Sequence, residues 1–129
     1  MNTARYTPQM LSVLRIMTGL LFLAHGSQKL LGFPAPSNPA AIAMFSLPWI
    51  ASYLETFGGL AIVLGLFTRP VAFILAGEMA AAYFIAHMPR DFFPVRNGGD
   101  AAVLFCFIFL FLVAAGPGPW SLDAKRRAA

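Results

Sequence analysis

Residues 10–31 read MLSVLRIMTGLLFLAHGSQKLL, an apolar run interrupted only by Arg15, His25 and Lys29 among ionisable residues. A helix needs about 20 mainly apolar residues, within a range near 17–25, to cross the hydrocarbon of a bilayer. This run meets that length. It lacks the short apolar region and small-residue cleavage site of a secretory leader, and it carries charge within it. It is therefore read as a permanent first membrane span.

Working outward, three further apolar blocks occupy about 48–67, 70–88 and 99–115. Only 11% of the 129 residues are charged, whereas a soluble domain carries about a quarter. The excess apolar surface belongs to lipid. The expected fold is all-α: an integral-membrane four-helix bundle forming one domain over residues 1–129.

The connections differ in kind. Residues 32–47 hold Pro34, Pro36 and Pro39 and no charge. Thr68-Arg69-Pro70 reads as a tight turn, with Pro70 at the first position of the third helix. Residues 89–98 carry Arg90, Asp91, Phe92, Phe93 and Arg96, and the run from Gly116 to Trp120 ends the fourth helix. Arg5, Arg69, Lys125, Arg126 and Arg127 fall on one side, against Arg90 and Arg96 on the other. That bias places both termini in the cytoplasm. The net charge of +4 is thus a topology signal and not a nucleic-acid footprint. Trp49 and Trp120 read as interfacial anchors, and Gly58, Gly59 and Gly65 as points of close helix approach. Cys106, the single cysteine, is a small apolar filler.

Ionisable groups inside spans cost roughly 2.5–3.5 kcal/mol each on insertion scales, so they face a bundle interior and find partners. They are Arg15, His25, Lys29, Glu55, Glu78, His87 and Asp100. On a helical wheel Arg15, Thr18, Phe22, His25 and Lys29 share an arc of roughly 80°. Arg15 and Lys29 are about 21 Å apart along the axis, so one carboxylate cannot serve both. Measured from the middle of each span, every one of these groups except Arg15 lies between the midplane and the outer surface. Lys29 is expected to pair with Glu55 or Asp100, and His25 to share a hydrogen bond with Glu55 or Glu78. Glu78 and His87 lie about 180° apart on their helix and should not line one narrow pocket unless Pro89 displaces His87.

Three readings of this outer cluster stay open. It is a network that fixes helix register, a site for a redox-active or protonatable ligand, or a metal site. Against the last, no paired ligand spacing such as His-x-x-x-His or Glu-x-x-His occurs. The uncharged connection and the Phe92-Phe93 pair are candidates for an apolar lid over the outer mouth, or for loops dipping into the interface.

These residues carry a resemblance. His25-Gly26 with Lys29, Glu55 with Gly58-Gly59, and Gly65-Leu66 with Thr68-Arg69 stand in order. Gly77-Glu78-Met79, Ala82-Tyr83-Phe84, His87 to Pro89, Phe92-Phe93 and Asn97-Gly98-Gly99 follow, and the tail from Gly116 to Asp123 completes the set. In this the chain resembles the DoxX family of small bacterial membrane proteins over nearly its whole length. Where many relatives carry glutamate after the Gly-Gly of the fourth span, this chain has Asp100, one methylene shorter. The resemblance implies a four-helix protein of the bacterial cytoplasmic (inner) membrane. It also implies a link to thiosulfate:quinone oxidoreductase subunits, thiol-stress complexes and quinone tolerance.

The leading expectation is a redox-associated protein whose outer cluster, His25, Lys29, Glu55, Glu78, His87 and Asp100, binds a quinone-like cofactor. Lys29 and His25 would meet a carbonyl oxygen, while Glu55 with Glu78 or Asp100 would relay protons. No motif for flavin, haem or an iron–sulfur cluster is present, so electrons would come from a partner. The competing expectations are a small-solute or proton-coupled transporter, which need not act as a single copy, and a scaffold for soluble redox enzymes. The lipid bilayer is the first partner in every case. A soluble redox enzyme and further copies of the chain are the candidate protein partners.

Overall fold

The computed structural model describes residues 2–36, 38 and 41–129. Pro39, counted above in the proline-rich connection, lies outside the described residues. Helix α1 spans Thr7–Leu31 and is preceded by a 3-10 turn at Thr3–Tyr6. A second long helix is built from α2 (Leu47–Tyr53), a π segment (Leu54–Gly58) and α3 (Gly59–Leu64). The third joins α4 (Thr68–Ala82) to a π segment at Tyr83–His87. A single short turn, α5 (Pro94–Asn97), precedes α6 (Asp100–Ala115), and α7 (Leu122–Ala128) follows.

Three of these helices, Thr3–Leu31, Leu47–Leu64 and Thr68–His87, are long and apolar enough to cross a membrane. Helix α6 is apolar but only 16 residues long, about 24 Å at 1.5 Å per residue. Its bounds are set by glycines: Gly98 sits at φ +72° before it and Gly116 at φ +84° after it.

The boundaries differ from the sequence reading at one turn. The second helix stops at Leu64 because Gly65, at φ +65°, closes it in the left-handed conformation. The turn is thus Gly65 to Phe67, and Thr68, not Pro70, opens α4. Pro70 is tolerated because the first four N–H groups of a helix have no intrahelical partner.

Helix α1 packs on the second helix, and α4 packs on α6, as two antiparallel pairs. Close approach in the first pair depends on glycine. A Cβ on Gly26 would lie 2.4 Å from the Thr56 nitrogen, one on Gly19 2.7 Å from that of Val63, and one on Gly59 2.7 Å from that of Leu23. Gly59 thus acts as expected, while Gly19 and Gly26 join it from the facing helix. Small residues let backbones touch where lipid removes any hydrophobic drive between helices. The pairs meet across Phe22, which packs edge-on against Phe105 and Phe109 at 5.3 and 5.0 Å.

Opposite ends of the molecule are tied differently. At the end holding the chain termini, Arg15 is 0% exposed. Its guanidinium donates to the carbonyls of Ile62 (2.6 Å), Val63 (2.5 Å), Pro117 (2.7 Å) and Trp120. Its hydrogen-bond acceptors are all carbonyls, and those of Ile62 and Val63 lie at a helix C-terminus, the negative end of its dipole. Arg69 treats the end of α6 in the same way, donating to the carbonyls of Val113 and Ala114.

Asp123 closes this end by accepting from the backbone N–H groups of Phe67 and Thr68, both at 2.9 Å, and so caps α4. Burial alone would raise its carboxyl, but the N–H groups of Thr68 and Phe67, with the nearby Arg126, hold it below its ordinary value of 3.8. A depressed carboxyl stabilises the fold fully above the unfolded value and loses that contribution as pH falls through the folded one. Thermal unfolding in detergent should therefore show an acid-labile component below about pH 4 that Asp123→Ala removes. The same substitution should cost about 1 kcal/mol at neutral pH, as for other N-caps. Identical acid profiles in the two proteins would refute this assignment.

Candidate functional site

At the opposite end, α1 brings Lys29 beside the second helix, where its ammonium meets Glu55 Oε1 at 2.6 Å. The Glu55 side chain is 5% exposed and that of Lys29 39%. This is the first of the two pairings expected for Lys29. Glu55 lies within the π segment Leu54–Gly58. Such single-turn π bulges recur at functional sites.

Glu78, on α4, has Lys29 and Glu55 as its electrostatic neighbours. Both of its carboxylate oxygens are buried, and among the described residues neither has a hydrogen-bond partner. Glu55 Oε2 is in the same condition. One ammonium therefore matches one of two adjacent carboxyls. The second is left for a proton or for a donor on an occupant. Buried polar atoms in native proteins are almost always satisfied, so such exceptions call for an explanation.

A cavity of about 710 Å³ adjoins these three side chains. It runs between the second and third helices, and apart from Lys29, Glu55 and Glu78 its walls are apolar, including Leu54, Ile74 and Ile85. Ile50, Ile74 and Ile85 are also exposed on the outer face, so the chamber opens sideways between the helices. Gly77 forms part of the wall, and a Cβ added there would meet nothing within 4 Å. Both π segments contribute to the walls, through Leu54 and Glu55 on one side and Ile85 and Ala86 on the other.

The remaining site candidates lie elsewhere. His25 is exposed and stands edge-on to Phe105, 6.1 Å between ring centres. Among the described residues it makes no hydrogen bond to Glu55 or Glu78, because its side of α1 faces α6. Asp100 is exposed in the first turn of α6, where an acid suits the positive end of the helix dipole. It does not pair with Lys29. His87 closes the second π segment and turns its Nδ1 to the Asn97 carbonyl at 3.2 Å and to Arg90 at 3.4 Å. Glu78 lines the cavity between the second and third helices and His87 does not, so the two do not share one pocket. No three His, Cys, Asp or Glu side chains converge on a metal-sized site among the described residues.

His87 instead belongs to a polar junction between α4 and α6 that sequence reasoning missed. Buried Asn97 donates to the Asp91 carbonyl at 2.7 Å and to the Tyr83 hydroxyl at 3.4 Å, and accepts from Gly99 N–H at 2.8 Å. Tyr83 donates to the Phe92 carbonyl, and Asp91 pairs with Arg96 at 3.1 Å. Phe92 and Phe93 are exposed and pack edge-on against each other. They do not line the cavity, so they form no lid over it. Among the described residues of the proline-rich connection only Leu47 reaches the chamber, beside Pro48 in the first turn of α2. Gly77 was also missed, although a glycine inside a helix costs about 1 kcal/mol relative to alanine and so signals a special position.

The DoxX family model matches residues 10–88. Among known proteins, an uncharacterized protein of Haemophilus influenzae is 40% identical, with 96% of each chain covered. The inner membrane protein YphA of Escherichia coli is 30% identical, covering 97% of this chain and 100% of the relative. The inner membrane protein YqjF of the same organism is also 30% identical, covering 86% of this chain and 87% of its own. No solved structure matches the chain.

Proposed function

The chain belongs to the DoxX family and is a multi-pass protein of the bacterial inner membrane, and on that footing we propose that it binds a quinone-like molecule in the chamber between its second and third helices. The observation that carries this reading is Glu78, whose two buried oxygens have no hydrogen-bond partner among the described residues and whose side chain lines an apolar cavity beside the Lys29–Glu55 pair. A ligand with a polar ring and an isoprenoid tail satisfies both parts of that lining. Its carbonyl oxygen would accept from Lys29, its ring would lie near Glu78, and its tail would leave through the gap lined by Ile50, Ile74 and Ile85.

The site residues of this proposal are Lys29, Glu55 and Glu78. His25, His87 and Asp100 are not needed for it. Reduction of a bound quinone to the quinol takes two electrons and two protons. The paired carboxyls are suited to supply and regain the protons, and a separate redox enzyme would deliver the electrons. In this topology α6 is a fourth, short crossing and both termini face the cytoplasm, as the basic residues Arg5, Arg69 and Lys125 to Arg127 favour.

A transport route is less well supported. It would have to pass the other end of the bundle, where Ser12, Arg15, Ile62, Thr68 and Leu112 are all fully buried.

Purification in a mild detergent, organic extraction and mass spectrometry test the reading directly. Prenylquinone should be retained in near-stoichiometric amount by the native protein. Glu78→Gln should retain at least about tenfold less, equivalent to ~1.4 kcal/mol. Recovery of bulk phospholipid alone, in equal amounts from both proteins, would end the proposal.

A further inference from the structure

A second pocket, of about 400 Å³, lies at the opposite end of the molecule, between the start of α4 and α7. Its lining is Phe67, Thr68, Arg69, Pro70, Asp123, Arg126 and Arg127. We propose that this pocket binds the phosphate headgroup of an anionic phospholipid of the surrounding bilayer.

Charge is the first argument. Three arginines line the pocket against a single carboxylate, and that carboxylate is committed. Both Asp123 oxygens accept backbone N–H bonds from the start of α4. Among the described residues no arginine of the pocket lies within salt-bridge distance of it. The pocket therefore keeps a net excess of positive charge, which Asp123, close to Arg126, offsets only in part.

Geometry is the second. The Arg126 guanidinium lies 4.9 Å above the centre of the Phe67 ring. Stacking fixes the plane of the guanidinium while leaving its edge N–H groups free to bind, and this planar fork matches two oxygens of a phosphate. Arg69 directs Nη1 to the end of α6, so its charge is held at the pocket wall by the fold. Phe67 itself is 55% exposed with φ +48°. A left-handed bulky residue with an exposed ring is a costly feature, and here it forms the platform for Arg126.

Surroundings decide the source of the phosphate. Phe73 stands one turn beyond Arg69 on the same face of α4 and is exposed, as are Leu64 and Phe111 near the corresponding ends of α3 and α6. A charged rim above an apolar collar fits a molecule with a phosphate at one end and acyl chains at the other. Basic pockets at the ends of membrane helices take lipid headgroups by this combination. A soluble phosphate would use the arginines and leave the collar without a role.

Native mass spectrometry of the whole protein in detergent, titrated with dioleoyl phosphatidylglycerol or dioleoyl phosphatidylcholine, provides the test. The anionic lipid should bind more tightly. Replacing Arg126 and Arg127 together by glutamine should weaken it by roughly 30-fold, the fold-change for two arginines at about 1 kcal/mol each. Glycerol phosphate should fail to displace the lipid. Equal affinity of native protein for the two lipids would overturn the proposal without reference to any variant. So would an unchanged affinity in the double substitution, or displacement by glycerol phosphate, which would mark a site for soluble phosphate instead. Retention of quinone in the first chamber is a separate readout, so failure here leaves that reading intact.

Discussion

Arg15→Leu is expected to lower the stability of the folded protein by about 3–5 kcal/mol, the largest effect of any single substitution considered. The side chain is wholly buried and reaches four carbonyls on two distant segments, the end of α3 and the run from Pro117 to Trp120. Hydrogen bonds from a charged donor are worth roughly 1.5–3 kcal/mol each and do not add fully. Leucine removes them and leaves the acceptors stranded in a dry interior. Lysine keeps the charge but not the planar fork, so Arg15→Lys should recover less than half of the loss. Equilibrium unfolding in detergent, followed by circular dichroism, measures both. A loss below about 1 kcal/mol for Arg15→Leu would show that the guanidinium does not hold the ends together.

Gly77→Leu should remove ligand retention by at least about tenfold while leaving the fold intact, a combination that a structural role for the cavity cannot produce. The new side chain would project into the space between the second and third helices, where even a Cβ meets nothing within 4 Å. Replacing glycine in a helix is itself favourable by up to about 1 kcal/mol, so unfolding should move slightly upward or not at all. The readout is the amount of extracted prenylquinone per mole of protein, together with the unfolding midpoint. Unchanged retention with an unchanged midpoint would place the ligand outside this chamber. A large destabilisation would show that the position is packed.

Sequence reasoning placed Lys29, Glu55 and Asp100 in one outer half because depth along a helix follows directly from residue count. Depth alone left both acids open as partners of Lys29, and the fold selects Glu55. Rotation was harder. His25 and Lys29 are 40° apart on an ideal helix, yet α1 lies between two neighbours, and that small angle sends one residue towards α6 and the other towards the second helix. The two π segments add to the difficulty: a π turn shifts the angular phase, and periodicity counted across Leu54–Gly58 or Tyr83–His87 loses its reference. The acceptors of Arg15 were not legible at all, since any residue has a carbonyl and only the chain path decides which ones converge. The cavity was equally hidden, because an empty volume leaves no mark beyond one unexplained glycine.

The position of Arg15's partners also bears on how the protein is made. They lie 47, 48, 102 and 105 residues further along the chain. At about 5–20 residues per second, the first helix reaches the membrane seconds before the last two acceptors leave the ribosome. During that interval its guanidinium can meet the carbonyls of Ile62 and Val63 once the second helix has followed, but not those of Pro117 and Trp120. Insertion of the first helix and completion of its contacts are therefore separate events, and synthesis of the tail is what joins them.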